Sequence, residues 1–154
     1  MSVGVSDKCI LIIEDDEDQG ALLGDLLHLA GYQVHCVDNI EAARAVLFPA
    51  NNQQAKNIQL ILSDWKLQHS DGLVFFRQEI QPQLDIPFIL MTAYGDVSHA
   101  MHCLRIGIDD YLIKPFNKQQ LLFSIEKTLT LKKVTVENTT LKSESKQRDK
   151  LVDL

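Results

Sequence analysis

Short runs of consecutive apolar residues alternate along the chain with stretches in which apolar positions recur every three to four residues. The first run, Lys8–Ile13, has no polar alternation, as expected of a strand buried on both faces. Residues 18–30 follow with helical spacing. They place Leu22, Leu23, Leu26, Leu27 and Ala30 on one face, and Gly31 serves as the C-terminal cap. Gln33–Val37 predicts a second strand. Asp38 and Glu41 form a capping-box-like start to a helix ending at Leu47. After the polar loop "PANNQQAKN", the spacing predicts a strand over Ile58–Ser63 and a helix over residues 72–81. Pro87–Met91 is a fourth strand, Ser98–Ile106 a helix capped by Gly107, and Tyr111–Ile113 a short fifth strand. A last helix begins near Lys118. Five strand-then-helix units predict an α/β domain, a doubly wound parallel sheet with helices on both faces, because each crossover helix must pack back onto the sheet.

Ligands of such sheets bind outside the carboxyl ends of the strands, so the residues at those ends matter most. Strand one runs into Glu14-Asp15-Asp16, strand three into Asp64, strand four into Thr92, and strand five into Lys114-Pro115. A carboxylate leaving a buried strand is costly unless something pairs with it, and Lys114 is the expected partner of Asp64. Acids at Asp16, Glu17 and Asp18 are read as complements to the helix dipole.

Composition narrows the picture. At 45% hydrophobic and 23% charged residues, the chain is of ordinary globular type. No apolar run has the length of a membrane span, and "MSVGVSDK" has neither the basic start nor the apolar core of a secretory signal. A cytoplasmic location is therefore expected. Cys9, Cys36 and Cys103 are too few and scattered for a disulfide framework and are expected as small buried thiols. The net charge of −6 divides into +2 over residues 132–154 and −8 over the rest, which argues against direct nucleic-acid binding by these residues.

Two carboxylates about 4 Å apart repel by roughly 4 kcal/mol at an effective dielectric near 20. Asp15, Asp64 and Glu14 in one pocket therefore call for a cation, and hard oxygen ligands completed by water suit Mg²⁺. Beside such an ion, an aspartate can accept a phosphoryl group as an acyl phosphate. Lys114 and the Thr92 hydroxyl are placed to meet its remaining oxygens, and the small Ala93 leaves room for it. His99 and His102 have metal-compatible spacing but no further ligands nearby. Trp65 reads as a partly buried packing residue.

The pieces "ILIIEDDED", "LILSDWKL…DG", "LMTAYGD" and "DYLIKPF", in that order and spacing, resemble the response-regulator receiver domains of bacterial two-component systems over about residues 8–130. The resemblance implies a flavodoxin-like fold with strand order 2-1-3-4-5 and an extended C-terminal helix. It implies Asp64 as phosphoacceptor, Glu14 and Asp15 as the acidic pair, and Asp15 as a direct Mg²⁺ ligand with the backbone carbonyl of Lys66. It further implies Thr92 as switch hydroxyl, Tyr111 as switch aromatic, Lys114 as the phosphate-contacting lysine, and a cis Lys114-Pro115 bond. The implied function is a phosphorylation-controlled switch, not a turnover enzyme, served by a partner sensor histidine kinase. The chain departs from the family at Gln68 and Ser70, where proline and an apolar residue are common. Lys66 and Tyr94 occupy positions that resemble those tuning the lifetime of the phosphorylated state, and both crowd the approach of water.

Two rivals stand beside this reading. A haloacid-dehalogenase-like phosphatase needs an acid two residues after the nucleophile, where this chain has Lys66. A receiver-like module that is never phosphorylated would not need the full acid, hydroxyl and lysine set. "MTAYGDV" and the tail "LTLKKVTVENTTLKSESKQRDKLVDL" look like the enhancer-binding transcription activators, whose receiver is joined by a helical linker to an ATPase domain. Residues 1–130 are thus expected to form the receiver and 131–154 a linker or coiled coil, with the output domain missing. A loose stripe of Leu131, Val134, Asn138, Leu141 and Val152 predicts a homodimer.

Overall fold

A computed structural model describes residues 9–50, 57–93, 95 and 97–132. Strand β1 (Cys9–Ile13) leads to helix α1 (Glu17–Leu29), strand β2 (Gln33–Val37) and helix α2 (Ile40–Leu47). Strand β3 (Ile58–Asp64) is followed by a small antiparallel ribbon of β4 (Lys66–Leu67) and β5 (Ser70–Asp71). Helix α3 (Gly72–Phe75) runs directly into a π-helical turn, Phe76–Ile80. Strand β6 (Phe88–Thr92), helix α4 (Val97–Ile106) and strand β7 (Asp110–Ile113) come next. Helix α5 spans residues 118–132.

The sheet order is β2-β1-β3-β6-β7, with every pairing parallel. Counting only these five strands, this is the expected 2-1-3-4-5. Strand alternation sorts the core into two layers. Leu11, Ile13, Ile61 and Leu90 face Ala43 of α2, Phe75 of α3 and Cys103 of α4. Ile10, Ile12, Leu62 and Met91 face Leu23 and Leu27 of α1 and Leu121 and Ile125 of α5. Both faces are covered, which is why the central strands read as unbroken apolar runs.

Several expectations need correction. The inward stripe of α1 is Gly20, Leu23 and Leu27, with Leu26 half-buried, whereas Leu22 is 60% exposed and Ala30 lies at the exposed cap. At 100° per residue a helix on a flat sheet buries a narrower stripe than five neighbouring apolar positions suggest. The cap of α2 is Asn39, whose Oδ1 accepts from the Ala42 N–H at 2.7 Å, with Asp38 in turn accepting from the Asn39 amide. This places Glu41 one position short of a capping box. Residues 72–81 are not a single α-helix, because the Gln81 N–H donates to the Phe76 carbonyl five residues back. Of the thiols, only Cys103 is buried; Cys9 is half-buried, and Cys36 is exposed on the edge strand. Gly31 does close α1, at φ +98°. Its N–H donates to His28 and that of Tyr32 to Leu27, the paired bonds of a left-handed cap. Lys8, Tyr94 and residues 133–154, which include most of the expected linker and its stripe, lie outside the described residues.

Candidate functional site

The connections leaving β1 and β3 go to opposite faces of the sheet, α1 to one and α3 to the other. A crevice therefore opens between the carboxyl ends of these two strands. Glu14 and Asp15 emerge on one side of it and Asp64, the last residue of β3, on the other.

Behind Asp64 the chain is packed against itself. The Gly72 N–H donates to the Trp65 carbonyl at 2.8 Å, and a Cβ on Gly72 would lie 2.1 Å from the Asp64 carbonyl oxygen. No side chain is compatible with that approach, which explains the glycine in "SDG". On the far side, the Lys114 N–H donates to the Thr92 carbonyl at 2.7 Å, and the Lys114-Pro115 bond is cis, as the resemblance implied.

These elements bring the predicted residues together. Lys114 Nζ lies 2.6 Å from Asp64 Oδ1 and 3.1 Å from Glu14 Oε1. It also donates to Gln19 Oε1 at 3.1 Å. Glu14 is 2% exposed and Asp64 6%, whereas Asp15 stands in solvent. Burial pushes the Asp64 carboxyl above its ordinary value, and the Lys114 ammonium opposes that shift without cancelling it. One ammonium thus serves two buried acids, and Glu14 Oε2 is buried without a hydrogen-bond partner.

A carboxylate oxygen from each of Glu14, Asp15 and Asp64 lies within 4.8 Å of the others. At that separation each pair repels by about 3 kcal/mol at an effective dielectric near 20. Three converging hard oxygens, one of them orphaned, fit a small divalent cation. It is the one His, Cys, Asp and Glu cluster with that geometry among the described residues, so His99 and His102 form no such site. Asp16 is not part of it, because its side chain caps α1 by accepting from the Gln19 N–H at 3.0 Å.

Beside the acids lies a cleft of about 790 Å³ whose lining includes Asp64, Trp65, Thr92, Ala93, His99 and Lys114. Thr92, the last residue of β6, is 5% exposed. The exposed Lys66 side chain also borders the cleft, but its ammonium stands 4.2 Å from the centroid of the Trp65 ring. Tyr111 is half-buried on β7, with its hydroxyl 2.9 Å from His99 Nδ1. Sequence reasoning missed two members of this neighbourhood. Gln19 joins the Lys114 ammonium only because α1 starts at Glu17, and His99 meets Tyr111 only through the packing of α4 on β7.

A doubly wound sheet with a strand-end acid, a lysine and a hydroxyl in one cleft belongs to the class of α/β domains whose sites lie at the carboxyl ends of the strands. Residues 10–126 match the response regulator receiver domain, and the chain belongs to that family. Among curated proteins, it is 31% identical over 145 residues to the C4-dicarboxylate transport transcriptional regulatory protein DctD of Pseudomonas aeruginosa, covering 92% of this chain and 29% of that one. It is 32% identical over 124 residues to the phosphate regulon transcriptional regulatory protein PhoB of the same species, covering 79% of this chain and 52% of the other. The chain therefore spans about half or less of these relatives. Among solved structures, a two-component response regulator from Clostridium difficile superposes with a TM-score of 0.70 at 28% identity, covering 80% of this chain and 96% of that one. No helix among the described residues is long and apolar enough to cross a membrane.

Proposed function

We propose that this chain is a signalling switch that accepts a phosphoryl group on Asp64 from a partner histidine kinase. The observation that carries the reading is the pairing of buried Asp64 with Lys114 at 2.6 Å beside two further acids. In the transfer, an Asp64 carboxylate oxygen forms the new bond to phosphorus as the bond to the donor's nitrogen breaks. The departing electron pair stays on the donor imidazole, which takes up a proton. Lys114, already held between Asp64 and Glu14, stabilises charge on the incoming oxygens, and Thr92 offers its hydroxyl from the same cleft. Glu14, Asp15, Asp64 and the backbone carbonyl of Lys66 would hold Mg²⁺, which would supply charge neutralisation for the phosphoryl oxygens. Hydrolysis is slow self-dephosphorylation and not turnover, and Lys66 and Tyr94 are assigned to slowing it. Residues 1–130 act as the receiver. Residues 131–154 act as the linker, pairing two copies and carrying the signal to a transcriptional output outside this chain.

Intact-mass measurement with a small phosphoramidate donor and Mg²⁺ tests this directly. Wild type is expected to gain one phosphoryl group, and neither Asp64→Asn nor metal-free wild type is expected to gain any. Full labelling of Asp64→Asn overturns the assignment. Continuous release of phosphate over many turnovers would favour a phosphatase, and a complete lack of labelling an inert interaction module.

A further inference from the structure

The cleft beside Asp64 is far larger than the group proposed to enter it. Its volume of about 790 Å³ falls within the range of small-molecule pockets, whereas a phosphoryl group is one phosphorus and its oxygens. Apart from the acid and two lysines, the lining is of the kind such pockets share, aromatic and apolar surface with few polar groups. Trp65, just after β3, and Met91 of β6 contribute to it, as do His99 and His102 of α4. The Trp65 and His99 rings pack on each other, with centroids 4.0 Å apart and planes at 35°. That part of the wall is therefore in place without any ligand.

The acid and ammonium groups of the lining do not balance. Asp64 is paired with Lys114 at 2.6 Å, and Glu14 holds the same ammonium at 3.1 Å. Lys66 brings a second ammonium, and it makes no ion pair among the described residues. Its Nζ stands instead 4.2 Å from the centroid of the Trp65 ring. A cation over a ring at an exposed position is held weakly and keeps its capacity for an anion. The contact nevertheless keeps the charge beside the aromatic wall. A flat ring lying along that wall thus brings an attached acid next to an uncommitted ammonium. One negative charge matches the surplus, whereas a second would meet only the Asp64 carboxylate.

We propose that this cleft binds a small aromatic monocarboxylate, with its ring against the Trp65–His99–His102 wall and its carboxylate on Lys66, and that the bound ligand keeps phosphodonors from Asp64. The blocking rests on the proposed phosphorylation of Asp64; the binding does not. Ring and charge are recognised by different side chains, so they can be removed separately. Lys66→Met keeps an apolar stem of similar length and takes away only the ammonium. It also leaves the backbone carbonyl assigned to Mg²⁺ in place.

The test uses the full chain and phenylacetate as the probe, with acetate as charge without ring and benzyl alcohol as ring without charge. Binding is read by NMR, from the indole N–H of Trp65, the single tryptophan, and from the histidine ring protons. Phenylacetate is expected to saturate at least about tenfold more tightly than either control. It should shift Trp65 and His102 but not His28 on α1 or His35 on β2. Lys66→Met should lower phenylacetate to the benzyl alcohol level and leave benzyl alcohol unchanged, whereas His102→Ala should weaken both. Absence of saturation in wild type, equal binding of phenylacetate by Lys66→Met, or shifts at His28 and His35 as large as at His102 overturns the proposal. Blocking is read on the same samples with phosphoramidate and Mg²⁺, by the mass gained at Asp64. Saturating phenylacetate should slow labelling of wild type severalfold and leave the labelling rate of Lys66→Met where it stands without the probe. Unslowed labelling of saturated wild type overturns the blocking. If wild type takes no label even without the probe, the phosphorylation reading fails, while the shift titrations still decide the ligand.

Discussion

Two acidic corners of this molecule sit at opposite ends of the sheet and are built on opposite terms. At the amino end of β7, Asp110 Oδ2 accepts from the Ser124 hydroxyl at 2.5 Å and pairs with Lys127 at 3.1 Å, and its Oδ1 accepts from the Tyr111 N–H at 2.8 Å. Its neighbour Asp109 accepts from the Phe88 N–H at 2.8 Å. At the carboxyl ends of β1 and β3, Glu14 and Asp64 share one ammonium with Asp15 beside them in solvent, and Glu14 Oε2 is the only buried carboxylate oxygen without a partner among the described residues. Acids are plentiful at both ends; what differs is how far the protein itself satisfies them. A satisfied acid joins elements together, whereas an undersatisfied buried cluster is held ready for a cation or a charged group from outside.

The contrast is tested most severely through its two lysines. Lys114→Ala is expected to destabilise the fold by about 2 kcal/mol at pH 7, since it strands two buried carboxylates, though partial exposure of the lysine limits the loss. Lys127→Ala, whose side chain is 39% exposed beside an acid with other donors, should cost at most about 0.5 kcal/mol. Millimolar Mg²⁺ should restore Lys114→Ala more than it stabilises wild type and leave Lys127→Ala unaffected. Denaturant unfolding of the three proteins with and without the ion measures this, and equal costs would erase the distinction.

Metal affinity separates the corners next. Asp15→Asn removes a ligand charge and should weaken Mg²⁺ binding roughly tenfold, while Asp110→Asn should leave it within about twofold. A titration followed by Trp65 emission reads both. A comparable loss in the two variants would mean that overall charge, not the cluster, sets the affinity.

The smallest effect is a pH dependence. Because burial raises the Asp64 pKa in the folded protein, the native state keeps that proton to higher pH than the unfolded chain does. Stability is therefore lost as pH rises from about 4, the unfolded value, through the raised native value. Asp64→Asn escapes this loss and should be more stable than wild type by on the order of 1 kcal/mol at pH 7. The gain should shrink toward zero as pH falls to about 4. Asp110→Asn should show no such gain, because it disrupts an acceptor shared by the Ser124 hydroxyl, the Tyr111 N–H and Lys127. Thermal melts across that range, without divalent ions, give the comparison.

Much of this architecture is legible in the sequence. The apolar runs of β1, β3 and β6 mark buried strands to within a residue at each end, because a strand covered on both faces carries few polar residues, the buried exceptions Ser63, Asp64 and Thr92 falling at the carboxyl ends. The strand-end groups Glu14, Asp15, Asp64, Thr92 and Lys114 follow from those ends and from the rule that parallel sheets open at their carboxyl edge. The closing turns at Gly31 and Gly107 were equally readable, each glycine sitting at positive φ.

Tertiary structure decided what local patterns do not encode. Leu22 and Leu23 are chemically identical neighbours, and only the placement of α1 on the sheet exposes one and buries the other. Asn39 displaced Asp38 as the cap of α2 because a one-residue shift in the helix start depends on packing, not on which side chain can cap. Gln19 reaches Lys114 across 95 residues, and His99 reaches both Trp65 and Tyr111 from a helix with a single buried side chain. A sequence records which groups are available and at what period. Which of them come within 3 Å of one another is settled only when distant elements find the one arrangement that buries their apolar faces.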